Sequence, residues 1–337
     1  MKKAVVVGER KAALVDVSEP KAKENWVVVK VHAAPMCTEY KAFLSGHKSE
    51  SLGHEAAGEV VEVAQPCRVK VGDRVVVMPI YPCGKCPLCV AGEYIHCQNL
   101  VDVAAFTGCR EGTATMAQYL VKPDWLLPAI PEGMSYEKAS LACCALGPSF
   151  GAFELMRVNA FDTVLITGAG PVGLGGVVNA RYRGARVIVA ECVPYRVERA
   201  KAMGAEVVDF REPDAAKKIR DLAGGRGVDA ALDCAGNVAA ERLCLEATRR
   251  KGRVAYVGEC GDPMPVRVSP DLIRTGITIF GSWHYNLSGV RPILKVIQES
   301  PLIGLLTSHV LPMSRIQEAF ELCASHETAK VILKPWE

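Results

Sequence analysis

Four cysteines stand close together: Cys83, Cys86, Cys89 and Cys97, spaced C-x2-C-x2-C-x7-C. Four thiolates can surround one Zn²⁺ tetrahedrally, and Gly84, Pro87 and Gly92 supply the turns a short chain needs to wrap it. With every position filled by protein there is no corner for substrate, so the expected role is structural. His96 is adjacent but not needed as a fifth ligand. Further metal-ligand types occur at Cys37, at Gly53-His54-Glu55 and at the pair Cys143-Cys144. None of these decides anything alone, because a single buried cysteine is usually a small apolar residue.

A second constellation lies in Val164–Leu174, VLITGAGPVGL. A β-branched run enters the turn Gly168-x-Gly170-x-x-Gly173, with Pro171 and Val172 between the last two glycines. The first glycine allows the tight turn and the second lets backbone approach a pyrophosphate. The third lets the following helix lie on the sheet, and the helix N-terminus offers free N–H groups to phosphate. The next strand, Arg186–Ala190, ends at Glu191, 23 residues after Gly168. A carboxylate there holds both ribose hydroxyls of NAD and repels a 2′-phosphate. Arg196 lies close enough to pack on the adenine, or else is simply the first-turn charge of the next helix. Cys234, Val257 and Ser282 are further candidates for the cofactor cleft, since ligands of open α/β folds sit at the carboxyl ends of strands.

These residues need a scaffold. A chain of 337 residues exceeds one typical domain, so two are expected. Residues 1 to about 136 read as a β-rich unit with strands at Lys3–Val7, Trp26–Val31, Ala57–Val63 and Arg74–Met78. From Thr163 onward strands alternate with helices: Thr163–Thr167, Arg186–Ala190, Glu206–Asp209, Asp229–Leu232, Arg253–Val257 and Ile277–Phe280. Six such strands make an α/β, doubly wound parallel sheet of Rossmann type. Helices are expected at Arg196–Met203, Ala239–Thr248, Val290–Glu299 and Ile316–Ser325, with a last strand at Ala329–Leu333. The tail after the sheet is too short to fold alone and is expected to return to the first domain. The boundaries fall at 1–149 with 284–337, the cysteine lobe occupying 83–97, and at 150–283.

Composition excludes several classes. A net charge of +3 without a basic block argues against nucleic acid. No apolar run is long enough to span a membrane, so no membrane partner is expected. The start, MKKAVVVGERKAALVD, does not read as a secretory leader. Fourteen cysteines in that setting argue for reduced thiols and metal sites in the cytoplasm.

Taken together, the motifs resemble the zinc-containing alcohol dehydrogenases of the medium-chain dehydrogenase/reductase superfamily, in their polyol- and sorbitol-dehydrogenase-like branch. The resemblance spans essentially the whole chain. It rests on Cys37-Thr38, Gly53-His54-Glu55, the four-cysteine lobe, Gly72-Asp73-Arg74-Val75, the GAGPVG turn, Gly204-Ala205, Asp233-Cys234-Ala235-Gly236 and Lys330-Val331-Ile332. It implies a GroES-like catalytic domain beside the Rossmann domain. It implies that Cys37, His54 and, counting back from Gly151, Cys144 hold a catalytic zinc, with Cys143 the alternative. It implies that Glu55 ligates transiently or supports the ligands, and that Thr38 relays the alcohol proton. This chain departs in reading Cys37-Thr38-Glu39, one residue short of the family's Cys-Gly-Thr-Asp, with Glu for Asp. The short stretch from Cys37 to His54 is expected to open the cleft on that side.

The chemistry follows from the parts. Hydride leaves a carbon readily only when its oxygen is anionic, and Zn²⁺ lowers the pKa of bound water from about 15.7 to about 7. The expected reaction is hydride transfer between an alcohol and NAD(H), the carbonyl being the product or the reverse substrate. Trp283, His284, Tyr285 and Asn286 after the sixth strand hint at a hydroxyl-rich substrate such as a polyol, sugar or cyclitol, or else pack between domains. Glu39, Tyr40 and His47 read as rim residues, closer to surface than to contact. Two alternatives stand beside this reading: a zinc-free reductase of an activated alkene or carbonyl, and a non-enzymatic zinc-lobed nucleotide-binding protein. The family implies a homodimer or homotetramer.

Overall fold

The computed structural model describes residues 1–337. The chain forms two compact units: Met1–Cys144 with Asn286–Gln298 and Thr307–Glu337, and Ala145–Tyr285 with Glu299–Leu306.

The first unit begins with the antiparallel pair β1 (Lys2–Gly8) and β2 (Lys11–Asp16). Next come β3 (Trp26–Pro35), the short helix α1 (Tyr40–Ser45), β4 (Ala56–Glu62) and β5 (Arg74–Val77). The cysteine lobe carries α2 (Pro87–Val90), and α3 (Val103–Thr107), β6 (Tyr119–Pro123) and α4 (Tyr136–Ser140) follow. The β-branched run Trp26–Val29 is buried on both faces, as a central strand requires. It pairs antiparallel with β4 on one side and β6 on the other.

The second unit opens with α5 (Gly147–Met156) and β7 (Thr163–Thr167), then α6 (Pro171–Tyr182), β8 (Arg186–Ala190), α7 (Pro194–Ala202) and β9 (Glu206–Val208). It continues with α8 (Ala215–Leu222), β10 (Val228–Asp233), α9 (Val238–Ala247), β11 (Thr248–Tyr256) and β12 (Thr278–Gly281). The six strands form one parallel sheet in the order β12-β11-β10-β7-β8-β9. Strand order reverses between β7 and β10, and a crevice opens at such a switch point.

The chain then returns to the first unit. Helix α10 (Val290–Glu299) precedes β13 (Thr307–Pro312), α11 (Ile316–Ala324) and β14 (Lys330–Lys334). β14 pairs antiparallel with β3 at Ile332–Pro35, so the first unit's sheet runs β13-β14-β3-β4-β5. Phe320 of α11 stacks on Phe43 of α1 at 5.1 Å, closing that core.

Nine elements were not legible: β2, β6, β13, the helices α1 to α5, and α8. β2 and β13 are largely half-buried and β6 is a short buried run, so partners rather than their own periodicity define them. α8 hides in AAKKIRDL, where only Ala215 and Ile219 are buried. β11 also starts earlier than expected, at Thr248, because charged Arg249, Arg250 and Lys251 conceal its first turn of pairing.

Candidate active site

The sheet of the first unit brings the metal-ligand types to one end. Cys37 lies just past the end of β3, and His54 and Glu55 just before β4. Lys330 opens β14. These three strands are neighbours, and β3 runs antiparallel to the other two, so its end meets their beginnings. Cys144 joins them, and the ligand atoms of Cys37, His54, Glu55 and Cys144 all lie within 4.8 Å of one another.

The partners of each group show its role. His54 Nε2 is 3.1 Å from Cys144 Sγ, and its Nδ1 is 2.8 Å from Glu39 Oε1. The other Glu39 oxygen accepts the Cys37 N–H at 2.8 Å. Glu39 is therefore not a rim residue: its side chain is only 10 % exposed and it orients one ligand while holding the backbone of another. Tyr40 is half-buried, its ring edge against His326. Glu55 is fully buried; one oxygen meets Lys330 Nζ at 2.5 Å and the other accepts the Cys144 N–H at 3.1 Å. Cys143 turns away, its thiol on the Val77 carbonyl at 3.3 Å, which leaves Cys144 as the thiol in the cluster. Thr38 is exposed beside Cys37.

The donor set fits a cation. The Cys37 thiol is pulled well down by its bond from Cys144, against burial, with help from Lys330 and His54. Cys144 is correspondingly pushed well up, by that same bond and by burial. Burial opposes charge on His54, yet its bonds to Cys37 and Glu39 and the fields of Glu39 and Glu55 raise it to about 11. The cluster thus offers two sulfurs and an imidazole around one point, the donor types that zinc takes. In a tetrahedral zinc site a nitrogen and a sulfur ligand are about 3.5 Å apart. The 3.1 Å separation of His54 and Cys144 is within half an ångström of that.

The four-cysteine lobe fits zinc more closely still. Sulfurs at the corners of a zinc tetrahedron lie about 3.8 Å apart. Here the separations are 3.5 Å for Cys86–Cys89, 3.6 Å for Cys83–Cys97, 3.9 Å for Cys86–Cys97 and 4.0 Å for Cys83–Cys89. Backbone N–H groups donate to Cys83 and Cys97, as thiolates require. The backbone N–H of Lys85 leads the effects that bring Cys83 down to about 6. His96 is exposed and outside the set of donors.

In the second unit the glycine turn follows β7, and Gly168 has φ +80°. A Cβ on Gly173 would lie 1.8 Å from the Gly168 carbonyl, so only glycine lets α6 start there. Gly170 caps α6, with Pro171 and Val172 in its first turn. Glu191 is buried; one oxygen accepts from Ala169 N–H at 2.7 Å and the other from Cys192 and Val193 N–H. The carboxylate is thus tied to the glycine turn itself. The Arg196 guanidinium is 3.9 Å from it and beside Gly170. Cys234, Val257 and Ser282 follow β10, β11 and β12 and bond back to Thr167, Asp233 and Tyr256. All three stand at the carboxyl edge of the sheet.

The residues after β12 do not line a pocket as a group. His284 and Tyr285 are buried and stacked on each other, and Tyr285 packs edge-on against Phe150 of α5. The Asn286 amide donates to Ala91 O and Glu93 Oε1 in the cysteine lobe. Packing uses these groups, and only Trp283 remains exposed. Two residues escaped the sequence reading. Glu39 passed for a surface acid, and Lys330 for part of an ending motif. A lysine inside the apolar run AKVIL was the available signal, since a charge buried in a strand demands a partner.

Comparison with known proteins agrees with this geometry. Residues 23–132 match the family model described as "Alcohol dehydrogenase GroES-like domain", and residues 171–299 match "Zinc-binding dehydrogenase". The zinc-type alcohol dehydrogenase-like protein YphC of Escherichia coli (strain K12) is 33% identical, over 89% of this chain and 83% of its own. The sorbitol dehydrogenase of Bacillus subtilis (strain 168) is also 33% identical, over 85% and 82%. The solved structure of alcohol dehydrogenase TADH from Thermus sp. ATN1 superposes with a TM-score of 0.88 at 25% identity, covering 99% of both chains. With its two cysteine-rich donor sets, GroES-like sheet and parallel nucleotide-binding-type sheet, this chain belongs to the zinc-containing alcohol dehydrogenases of the medium-chain dehydrogenase/reductase superfamily, in their polyol-dehydrogenase-like branch.

Proposed function

We propose that this protein is an NAD-dependent zinc alcohol dehydrogenase that oxidises a secondary alcohol of a polyol, sugar or cyclitol, or reduces the matching ketone. The observation that carries the reading is the convergence of Cys37, His54 and Cys144 on one point, with Glu39 and Glu55 fixing them. Zinc held there supplies a Lewis acid that lowers the pKa of an alcohol hydroxyl. The protein's own groups do the rest. Glu39 aims the imidazole, and Lys330 neutralises Glu55 within the core. Thr38, exposed next to Cys37, would pass the hydroxyl proton outward, and NAD, when bound, would supply the hydride acceptor. Glu191, Gly168, Gly170, Pro171, Val172 and Gly173 would hold the dinucleotide, with Arg196, Cys234, Val257 and Ser282 lining its cleft.

The buried Glu191 supports NAD, because a 2′-phosphate would be pressed on a carboxylate. The similarity to sorbitol dehydrogenase supports a polyol. A zinc-free reductase would have no use for the Cys37 donor set. The open edge of β12 and the exposed Val268 and Ile273 support a homodimer or homotetramer. The two cysteine-containing donor sets support a reducing, cytoplasmic setting, in which thiols stay available to metal. No helix is long and apolar enough to cross a membrane.

The test is a panel of polyols, sugars and simple alcohols with NAD and NADP, run beside metal analysis and light scattering. NAD-coupled oxidation that a chelator abolishes is the expected result. Oxidation that survives complete removal of zinc sinks the metal's part, and a preference for NADP sinks the part given to Glu191.

A further inference from the structure

Helix α6 begins at the dinucleotide turn and is buried along most of its length. A buried helix face is ordinarily filled with Leu, Ala or Val. At 179 it carries asparagine, fully buried. Asparagine is a poor helix former, and a buried amide is costly unless bonded. The Asn179 Nδ2 donates to the Leu146 carbonyl at 2.9 Å and to Ser149 Oγ at 2.8 Å. Ser149 Oγ itself donates to that same carbonyl at 3.0 Å. Asn179 Oδ1 has no hydrogen-bond partner. Flipping the amide would set an oxygen against the Leu146 oxygen, which only accepts, so the orientation is determined. The helix retains a half-satisfied amide for the sake of its donors.

One turn earlier the same face carries Gly175. A Cβ there would lie 1.7 Å from the Ala145 carbonyl oxygen. The helix backbone is therefore seated directly on the Ala145 peptide. Both contacts fall on Ala145 and Leu146, the two residues that immediately follow Cys144.

We propose that Asn179 and Gly175 are positioning residues for the Cys144 thiol, so that the helix carrying the dinucleotide turn also sets the third zinc ligand. The proposal rests on the zinc-dehydrogenase reading above. Cys144 is tied on its N-terminal side, its N–H bonded to Glu55. The α6 contacts fix the chain on its C-terminal side, leaving the thiol little freedom beyond its own χ1. Ligand geometry tolerates errors of only about 0.5 Å. From Gly170 to Asn179 the helix is a rigid rod about 14 Å long. Asn179 touches neither alcohol nor cofactor; it acts through Cys144.

The test compares Asn179→Leu with the wild-type holoenzyme. Leucine keeps the branching at Cγ and removes the donors, at the cost of a somewhat larger side chain. Cobalt(II) replacing zinc reports each thiolate site by its absorption, and the four-cysteine lobe serves as the internal reference. The expected result is an altered open-site spectrum beside an unchanged lobe spectrum, a fall of at least tenfold in kcat, and a dinucleotide Kd within about twofold of wild type. An unaltered cobalt spectrum with unaltered kcat overturns the proposal, even if the melting temperature changes. Should Asn179→Leu fail to fold, Ser149→Ala relaxes the same anchor more gently. It is expected to shift the open-site spectrum in the same direction, and wild-type behaviour from it overturns the proposal equally. If the wild-type protein oxidises no alcohol, the functional reading fails, while the cobalt spectra still decide this one.

Discussion

Glu39 Oε1 lies 2.8 Å from His54 Nδ1, and through its other oxygen the same side chain holds the Cys37 N–H. The glutamate side chain is long enough to reach both groups at once, so one carboxylate orients the imidazole and holds the backbone of Cys37.

That relationship predicts graded losses. Glu39→Ala leaves His54 unoriented, and partners of metal-ligating histidines are worth about 10–100-fold in metal affinity or activity. Glu39→Asp falls short of one of its two bonds, so an intermediate loss is expected. Zinc content after dialysis and kcat/KM check both. Wild-type values for Glu39→Asp remove the argument from length.

Zinc uptake by the open site is expected to release protons. At pH 7.5 the metal-free cluster holds a proton on His54, raised to about 11, and one on the Cys144 thiol. Ligands must lose them to bind. Calorimetry in two buffers of different ionisation enthalpy gives the count, expected between about one and two protons per open-site zinc. Apparent affinity falls about tenfold for each unit by which the pH is lowered, per proton displaced. Uptake with no proton release contradicts the donor assignment.

The lobe should behave as an independent staple. Cys86→Ser removes one corner of a tetrahedron already set at zinc distances. Zinc content is expected to drop by one per chain and the melting temperature to fall on the order of 10 °C, since each kcal/mol moves a domain of this size by about 2–4 °C. Open-site cobalt absorption is expected to persist. Loss of both metals at once would show that the two sites are coupled.

A buried lysine gives the protein an alkaline gain in stability. Lys122 is 2 % exposed, its Nζ on the Ile80 carbonyl at 2.5 Å and over the Tyr81 ring. Burial brings its pKa down to about 7, with Cys143 pulling weakly the other way. The unfolded chain therefore binds more protons between about pH 7 and 10.5, and stability rises with pH across that window. Between pH 7 and 9 this contributes about 2 kcal/mol. Lys122→Met is expected to remove that slope in urea denaturation, and an identical slope in the variant refutes it.

The sequence alone determined what repeats locally or clusters along the chain. The four cysteines fall within fifteen residues, so a short loop can wrap one ion whatever surrounds it. The glycine turn, its strand and Glu191 likewise follow from steric rules that act over one β-α-β unit. The open site was reached from sequence only through a family resemblance, and its convergence belongs to the tertiary structure. Cys37, His54, Cys144 and Lys330 are far apart in sequence and meet because β3, β4 and β14 are neighbours in one sheet. The tertiary structure also decided which ambiguous side chains face the chemistry. Glu39 turned inward and Asn286 turned to the lobe, because buried polar groups must find partners, and partners are chosen by packing rather than by spacing.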